Sequence, residues 1–123
     1  MNPKARRVPD WIDDILEAIR NVAADIGALD EHQFAGDSKT LRAVTKSLSD
    51  IGEAANRIMA LAPQMQQDRP AAWEQLRRVY AMRNVLAHGY FRIDASVVWT
   101  TAKQDLPRLQ TLLHGLSRDE PKT

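Results

Sequence analysis

Arg83, Asn84, His88 and Tyr90 stand together in the run Arg83-Asn84-Val85-Leu86-Ala87-His88-Gly89-Tyr90. They bring a fixed cation, an amide, an imidazole and a phenol to one stretch of chain, a set suited to phosphodiester chemistry. A planar guanidinium fork matches phosphate oxygens, and an imidazole exchanges protons near neutral pH. Arg83 and His88 are therefore the candidate catalytic pair, with Asn84 able to orient one of them.

Each residue also has a purely structural explanation. On a helical wheel at about 100° per residue with Trp73 at zero, Leu76, Val79, Tyr80, Leu86 and Ala87 fall between about 220° and 340°. Arg83 falls among them, at about 280°, while Asn84 and His88 lie at the polar edge of this arc. Burying an unpaired charge is expensive, so Arg83 needs an ion pair, a stem that snorkels along the core, or a phosphate to receive. His88 precedes Gly89 and could simply stabilise a helix C-terminus. Asn84, four residues earlier, shares its face and could fix the ring tautomer. Spacing alone does not decide the matter, since Arg108 and His114, with five residues between them, give a second pair close to the four-residue gap of Arg83 and His88.

Four principal helices and no strands are expected to carry these residues, as an antiparallel all-α bundle. The first begins at a Pro9-Asp10 cap and ends near Gly27, with Trp11, Ile12, Ile15, Leu16, Ile19, Val22 and Ile26 facing inward. A short piece at Asp30 to Phe34 leads to a loop at Gly36. The second starts after Asp37 or Ser38, carries Leu41, Val44, Leu48, Ile51, Ala55, Ile58 and Ala62, and stops at Pro63. Pro70 opens the third helix and Asp94 caps the fourth. That fourth helix holds Val98, Ala102, Leu109, Leu112, Leu113 and Leu116, and Pro107 within it predicts a kink or a restart after Asp105. The whole chain, 1–123, forms one domain, with flexible ends at about 1–8 and 118–123.

Glu53 lies at about 120° on the second helix when Leu41 is zero, whereas the apolar seam centres near 300°. It is expected to face solvent or a subunit interface beside Ser49, Asn56 and Ala60, and not to neutralise Arg83.

The octapeptide resembles the Arg-x4-His-x-Tyr signature of the HepT toxins, a branch of the HEPN superfamily of small helical ribonucleases. Trp73 ten residues ahead of Arg83, the run Ile51-Gly52-Glu53-Ala54-Ala55, and Trp99 followed by Asp105-Leu106-Pro107 extend the likeness over about residues 40 to 113. The resemblance implies a HEPN bundle and a metal-independent endoribonuclease acting on the RNA 2′-hydroxyl to leave a 2′,3′-cyclic phosphate. It implies His88 as general acid or base, Arg83 stabilising the phosphorane, Asn84 orienting the histidine or a phosphate oxygen, and a homodimer with a composite cleft. A dimer would also let the apolar face that carries Arg83 meet its twin.

The resemblance further implies a toxin-antitoxin system of type VII character. A cognate MntA-like nucleotidyltransferase antitoxin, using its own ATP and Mg²⁺, would attach AMP to Tyr90 and so block the site. The chain itself would need no cofactor. A different reading makes the chain a silent helical adaptor or substrate that binds a nucleotidyltransferase, with Arg83 and His88 serving only in binding.

Composition agrees with a small metal-independent enzyme. There is no cysteine, and the three histidines are scattered without metal-ligand spacing. The net charge is +1, from 17 basic and 16 acidic residues, so RNA contact would fall to a local patch. Arg77, Arg78 and Arg92 are the candidates, with Glu53 a possible interface contact. No apolar run reaches the roughly 18 residues of a membrane span. The basic start Lys4-Ala5-Arg6-Arg7 leads into Pro9-Asp10 and not into an apolar leader, so the cytoplasm is the expected location.

Overall fold

The computed structural model describes residues 6–88 and 94–119, and every regular element among them is helical. In chain order these are α1 (Val8–Ile26), α2 (Glu31–Ala35), α3 (Ser38–Leu61), α4 (Met65–Asp68), α5 (Pro70–His88), α6 (Ala95–Thr100), a π turn (Thr101–Asp105) and α7 (Leu106–Asp119). The four long helices match the expected bundle, and α2, α4 and α6 are short connectors or extensions.

Local chemistry sets most of the boundaries. The Asp30 carboxylate accepts from the Gln33 backbone N–H at 2.8 Å, and the Gln33 side chain accepts from the Asp30 N–H at 3.0 Å, a reciprocal cap that starts α2. Asp37 caps α3 through the Thr40 N–H at 3.0 Å. That hydrogen bond holds the Asp37 carboxyl below its ordinary pKa. Asp94 caps α6 through the N–H groups of Ser96 and Val97. The start of α1 differs from the expected Pro9-Asp10 cap. Arg7 is the N-cap, because the Asp10 carboxylate reaches back one turn to accept from the Arg7 N–H at 2.9 Å. Leaving Pro9 inside the first turn costs nothing, since no intrahelical N–H is needed there. At the other end, α7 continues to Asp119, past the expected fraying point.

The core lies along α3, whose most extensive contacts are with α1 on one side and α5 on the other. Ile12, Ile15, Leu16, Ile19, Val22 and Ile26 of α1 meet Val44, Leu48, Ile51, Ala55 and Ile58 of α3, all buried. Each large apolar side chain taken out of water contributes about 1.5–3 kcal/mol. Phe34 is fully buried and packs its ring 5.4 Å from that of Trp99, which ties α2 to α6.

At the expected kink, the chain inserts a π turn immediately before Pro107. The Leu106 N–H donates to the Thr101 carbonyl five residues back, widening the helix by one residue. Pro107 cannot donate to the preceding turn and its ring crowds it, so the irregular turn falls where an α-helical bond would be lost. The extra residue also shifts phase. Leu106 and Thr101 join Val98, Ala102, Leu109 and Leu113 in the buried set, while Leu112 and Leu116 are only partly covered. No helix among the described residues is long and apolar enough to cross a membrane.

Candidate functional site

The two halves of α5 differ in depth. Ala72, Gln75, Leu76 and Val79 are buried, but after Val79 no residue of the helix is. Tyr80, Met82, Arg83, Asn84 and Leu86 are half-buried, Ala87 and His88 are exposed, and Val85 is 62% exposed. The helix runs out past the core and carries the candidate residues with it.

Arg83 is therefore not the buried charge its wheel position suggests. Its side chain is 37% exposed, and its stem lies across Gly52 of α3. The guanidinium Nη2 sits 3.5 Å from Glu53 Oε2, and Nη1 donates to Asn84 Oδ1 at 3.2 Å. This corrects the expectation that Glu53 would not meet Arg83. A wheel gives the direction in which a side chain leaves the helix, whereas a long arginine crossing at Gly52 reaches round to the next residue. Glu53 is half-buried and also accepts from Arg57 Nε at 3.1 Å. Neither charge is deeply buried, so the Arg83–Glu53 contact contributes only about 0–1 kcal/mol to stability.

His88 ends α5 with its Nδ1 2.7 Å from the backbone carbonyl oxygen of Asn84. A carbonyl can only accept, so Nδ1 carries the proton and donates it. In the neutral ring this leaves Nε2 with a free lone pair, the tautomer required of a general base. The Asn84 amide does not perform this orientation as expected from its face. Its carbonyl does, and its side chain serves Arg83 instead. One residue thus holds both members of the pair, which the four-residue offset from 84 to 88 and the adjacency of 83 to 84 permit.

The expected phosphate patch is less free than the sequence suggests. Arg77 is paired with Glu74, through Nη2 at 2.7 Å and Nε at 2.9 Å. The hydrogen bond to Arg77 holds the Glu74 carboxyl below its ordinary value and, reciprocally, pushes Arg77 up. Arg78 lies 3.5 Å from Asp105, which the π turn presents to α5 beside the buried Gln75. Arg108 and His114 are both exposed on α7. Tyr90 and Arg92 lie outside the described residues.

On the far side of Glu53, between α1 and α3, runs a groove of about 350 Å³ lined by Asp14, Glu17, Asp50 and Glu53 with Trp11 and Asn21. Its carboxylates disfavour a polyanion. Among the described residues, no group of three or more histidine, aspartate or glutamate side chains could hold a metal ion.

A model of the HepT-like ribonuclease family matches residues 12–115, from the first core residue of α1 almost to the end of the last core turn of α7. The chain belongs to the HepT-like ribonuclease family. Among its relatives, a protein of Thermococcus cleftensis described as a probable ribonuclease HepT is 35% identical over 101 residues, covering 82% of this chain and 87% of the relative. A protein of Methanocaldococcus jannaschii, provisionally named an RNase, is 30% identical over 105 residues, covering 85% of this chain and 92% of its own. A third, from Caldanaerobacter subterraneus and named in the same provisional way, is 24% identical over 110 residues. No solved structure matches the chain significantly.

Gly52, named in the sequence only within the run Ile51-Gly52-Glu53-Ala54-Ala55 and given no part there, is where the Arg83 stem meets α3. Glycine inside a helix is unfavourable by about 1 kcal/mol relative to alanine, so its place in the middle of the 24-residue α3 was itself the signal that another backbone comes close there.

Proposed function

We propose that this HepT-like chain is a metal-independent endoribonuclease whose reacting groups are Arg83 and His88. The observation that carries the reading is the His88 geometry. An exposed imidazole, with Nδ1 committed to the Asn84 carbonyl, offers Nε2 to a substrate about one and a half helical turns from a guanidinium. Nε2 takes the proton of a ribose 2′-hydroxyl, the 2′-oxygen bonds to phosphorus, and the bond from phosphorus to the 5′-oxygen breaks. The products are a 2′,3′-cyclic phosphate and a 5′-hydroxyl, the latter receiving a proton. Arg83 meets the charge that grows on the phosphorane oxygens. Asn84 acts as the positioning residue for both.

An in-line displacement takes up one proton and delivers another on opposite sides of the phosphorus, which a single imidazole cannot do in one step. A homodimer supplies the second His88. The exposed apolar side chains at the end of α5, Val85 and Ala87, support such an interface. RNA would enter along α5 and not over the acidic groove between α1 and α3. Arg77 and Arg78, once released from Glu74 and Asp105, would be its phosphate contacts together with Arg92.

Tyr90 follows His88 by only two residues. AMP attached to it by an MntA-like nucleotidyltransferase antitoxin would add a phosphodiester charge and a base within reach of Arg83. It would occupy the place of substrate phosphate, and the pair of proteins would form a toxin-antitoxin system. The test compares wild type with His88→Ala, each prepared without partner and verified by intact mass, on total RNA in EDTA. Cleavage by wild type and not by the variant supports the reading. An inert wild type of unmodified mass would falsify it and leave a non-catalytic partner of a nucleotidyltransferase.

A further inference from the structure

Arg83 can serve a phosphate only if its guanidinium is held in place while exposed to solvent, and an arginine on an exposed helix end is ordinarily mobile. Two adjacent residues of α3 bear on this. A Cβ added at Gly52 would overlap Arg83 Cβ and come within 2.9 Å of both Arg83 Cγ and the Val79 carbonyl oxygen. The carbonyl belongs to the α5 backbone, so the clash could not be relieved by turning a side chain. Only glycine lets α5 rest on α3 at this turn. Glu53, the next residue, then finds its Oε2 3.5 Å from Arg83 Nη2.

We propose that Gly52 and Glu53 are positioning residues for Arg83, Gly52 by admitting its stem between the helices and Glu53 by holding one end of its guanidinium. With Nη2 against Glu53 and Nη1 on Asn84 Oδ1, both terminal nitrogens are tethered from the protein side. A guanidinium has five N–H donors, so the remaining ones stay available to phosphate oxygens in a plane already set. Glu53 is itself divided between Arg57 and Arg83. It can therefore yield Arg83 to a phosphate without losing its own partner. The contact is too exposed to matter much for folding, and its effect falls on orientation.

This inference rests on the nuclease reading for its catalytic consequence, but the positioning itself can be measured separately. Guanidinium ¹⁵N resonances, with that of Arg83 identified by its loss in Arg83→Lys, report rotation of the group. Restricted rotation in wild type that is released in Glu53→Gln is the expected result, and equal mobility in both overturns the proposal whether or not the protein cleaves RNA. Given cleavage, Glu53→Gln should lower kcat about tenfold with KM unchanged or lower and the melting temperature nearly constant. The same change made in the Arg83→Lys background should have little further effect. A raised KM with kcat intact, or full additivity with Arg83→Lys, would place Glu53 in direct RNA contact and overturn the assignment. Gly52→Ala should reduce kcat in the same direction with a lower melting temperature, and full activity in that variant would remove Gly52 from the proposal. Restricted rotation in a wild type that leaves RNA intact would keep the positioning and discard the nuclease.

Discussion

The first and second halves of α5 are one continuous helix built to opposite ends. From Pro70 to Val79 it presents Ala72, Gln75, Leu76 and Val79 to the core, and its arginines on the outer side are paired with Glu74 and Asp105. From Tyr80 to His88 nothing is buried, apolar Val85 and Ala87 are exposed, and the polar groups are tied to one another through Asn84. The first half earns its place in stability. The second gives up burial to hold a cation and an imidazole at the surface, as expected of a functional end supported on a rigid element. Gly52 lies under the junction.

If that division is right, substitutions in the two halves should separate stability from activity. His88→Ala should show the largest functional effect, a loss of RNA cleavage of roughly 10²–10⁴-fold, read from initial rates. Its melting temperature should barely move, because the side chain is exposed. Leu76→Ala should do the reverse. Removing a fully buried leucine costs about 2–5 kcal/mol, measured by urea unfolding, while the folded fraction keeps its specific activity. Equal losses of stability from both variants would erase the distinction between the halves.

Smaller effects sharpen the comparison. Val85→Glu places a charge on a residue that is 62% exposed in the single chain, so the monomer should tolerate it. If the end of α5 meets its twin, sedimentation should show a shift from dimer to monomer with a parallel loss of cleavage; an unchanged mass would put the interface elsewhere. The least effect belongs to the Glu74–Arg77 pair of the first half. Because the Glu74 pKa is lowered in the folded chain, its stabilisation is complete above the ordinary carboxylate pKa and is lost as pH falls through the folded value. Arg77 shifts upward and stays charged throughout any practical range. Thermal melts of wild type and Glu74→Gln should therefore differ slightly at neutral pH and converge in acid, with no change in cleavage.

Much of this architecture is written in local pattern. The inward face of α1 follows from its spacing, and Asp37 and Asp94 mark helix starts through hydrogen bonds spanning two or three residues. The failures share a cause, because each depends on a neighbouring element. One wheel gave α3 a single seam, but α3 lies between α1 and α5, so Gly52 and Ala54 are buried as well. Leu106 entered the core only because a π turn advanced the phase by one residue. The wheel for α5 treated every turn alike and counted Ala87 as core, although in that turn Leu86 is only partly covered and Ala87 is exposed. In the candidate site, Arg83 and His88 were picked out by residue type and spacing, whereas the contacts of the Asn84 carbonyl, Gly52 and Glu53 required three dimensions. Tyr90 and Arg92 lie beyond the described residues; the part given to Tyr90 comes from the family resemblance and that given to Arg92 from its place in the sequence.

The most direct test of the central claim is end-group analysis, by mass spectrometry, of RNA fragments produced in EDTA by the unmodified wild-type protein. The account predicts 2′,3′-cyclic phosphate and 5′-hydroxyl ends that are absent when His88→Ala replaces the wild type. Fragments ending in a 3′-hydroxyl, or cleavage that persists in His88→Ala, would contradict it.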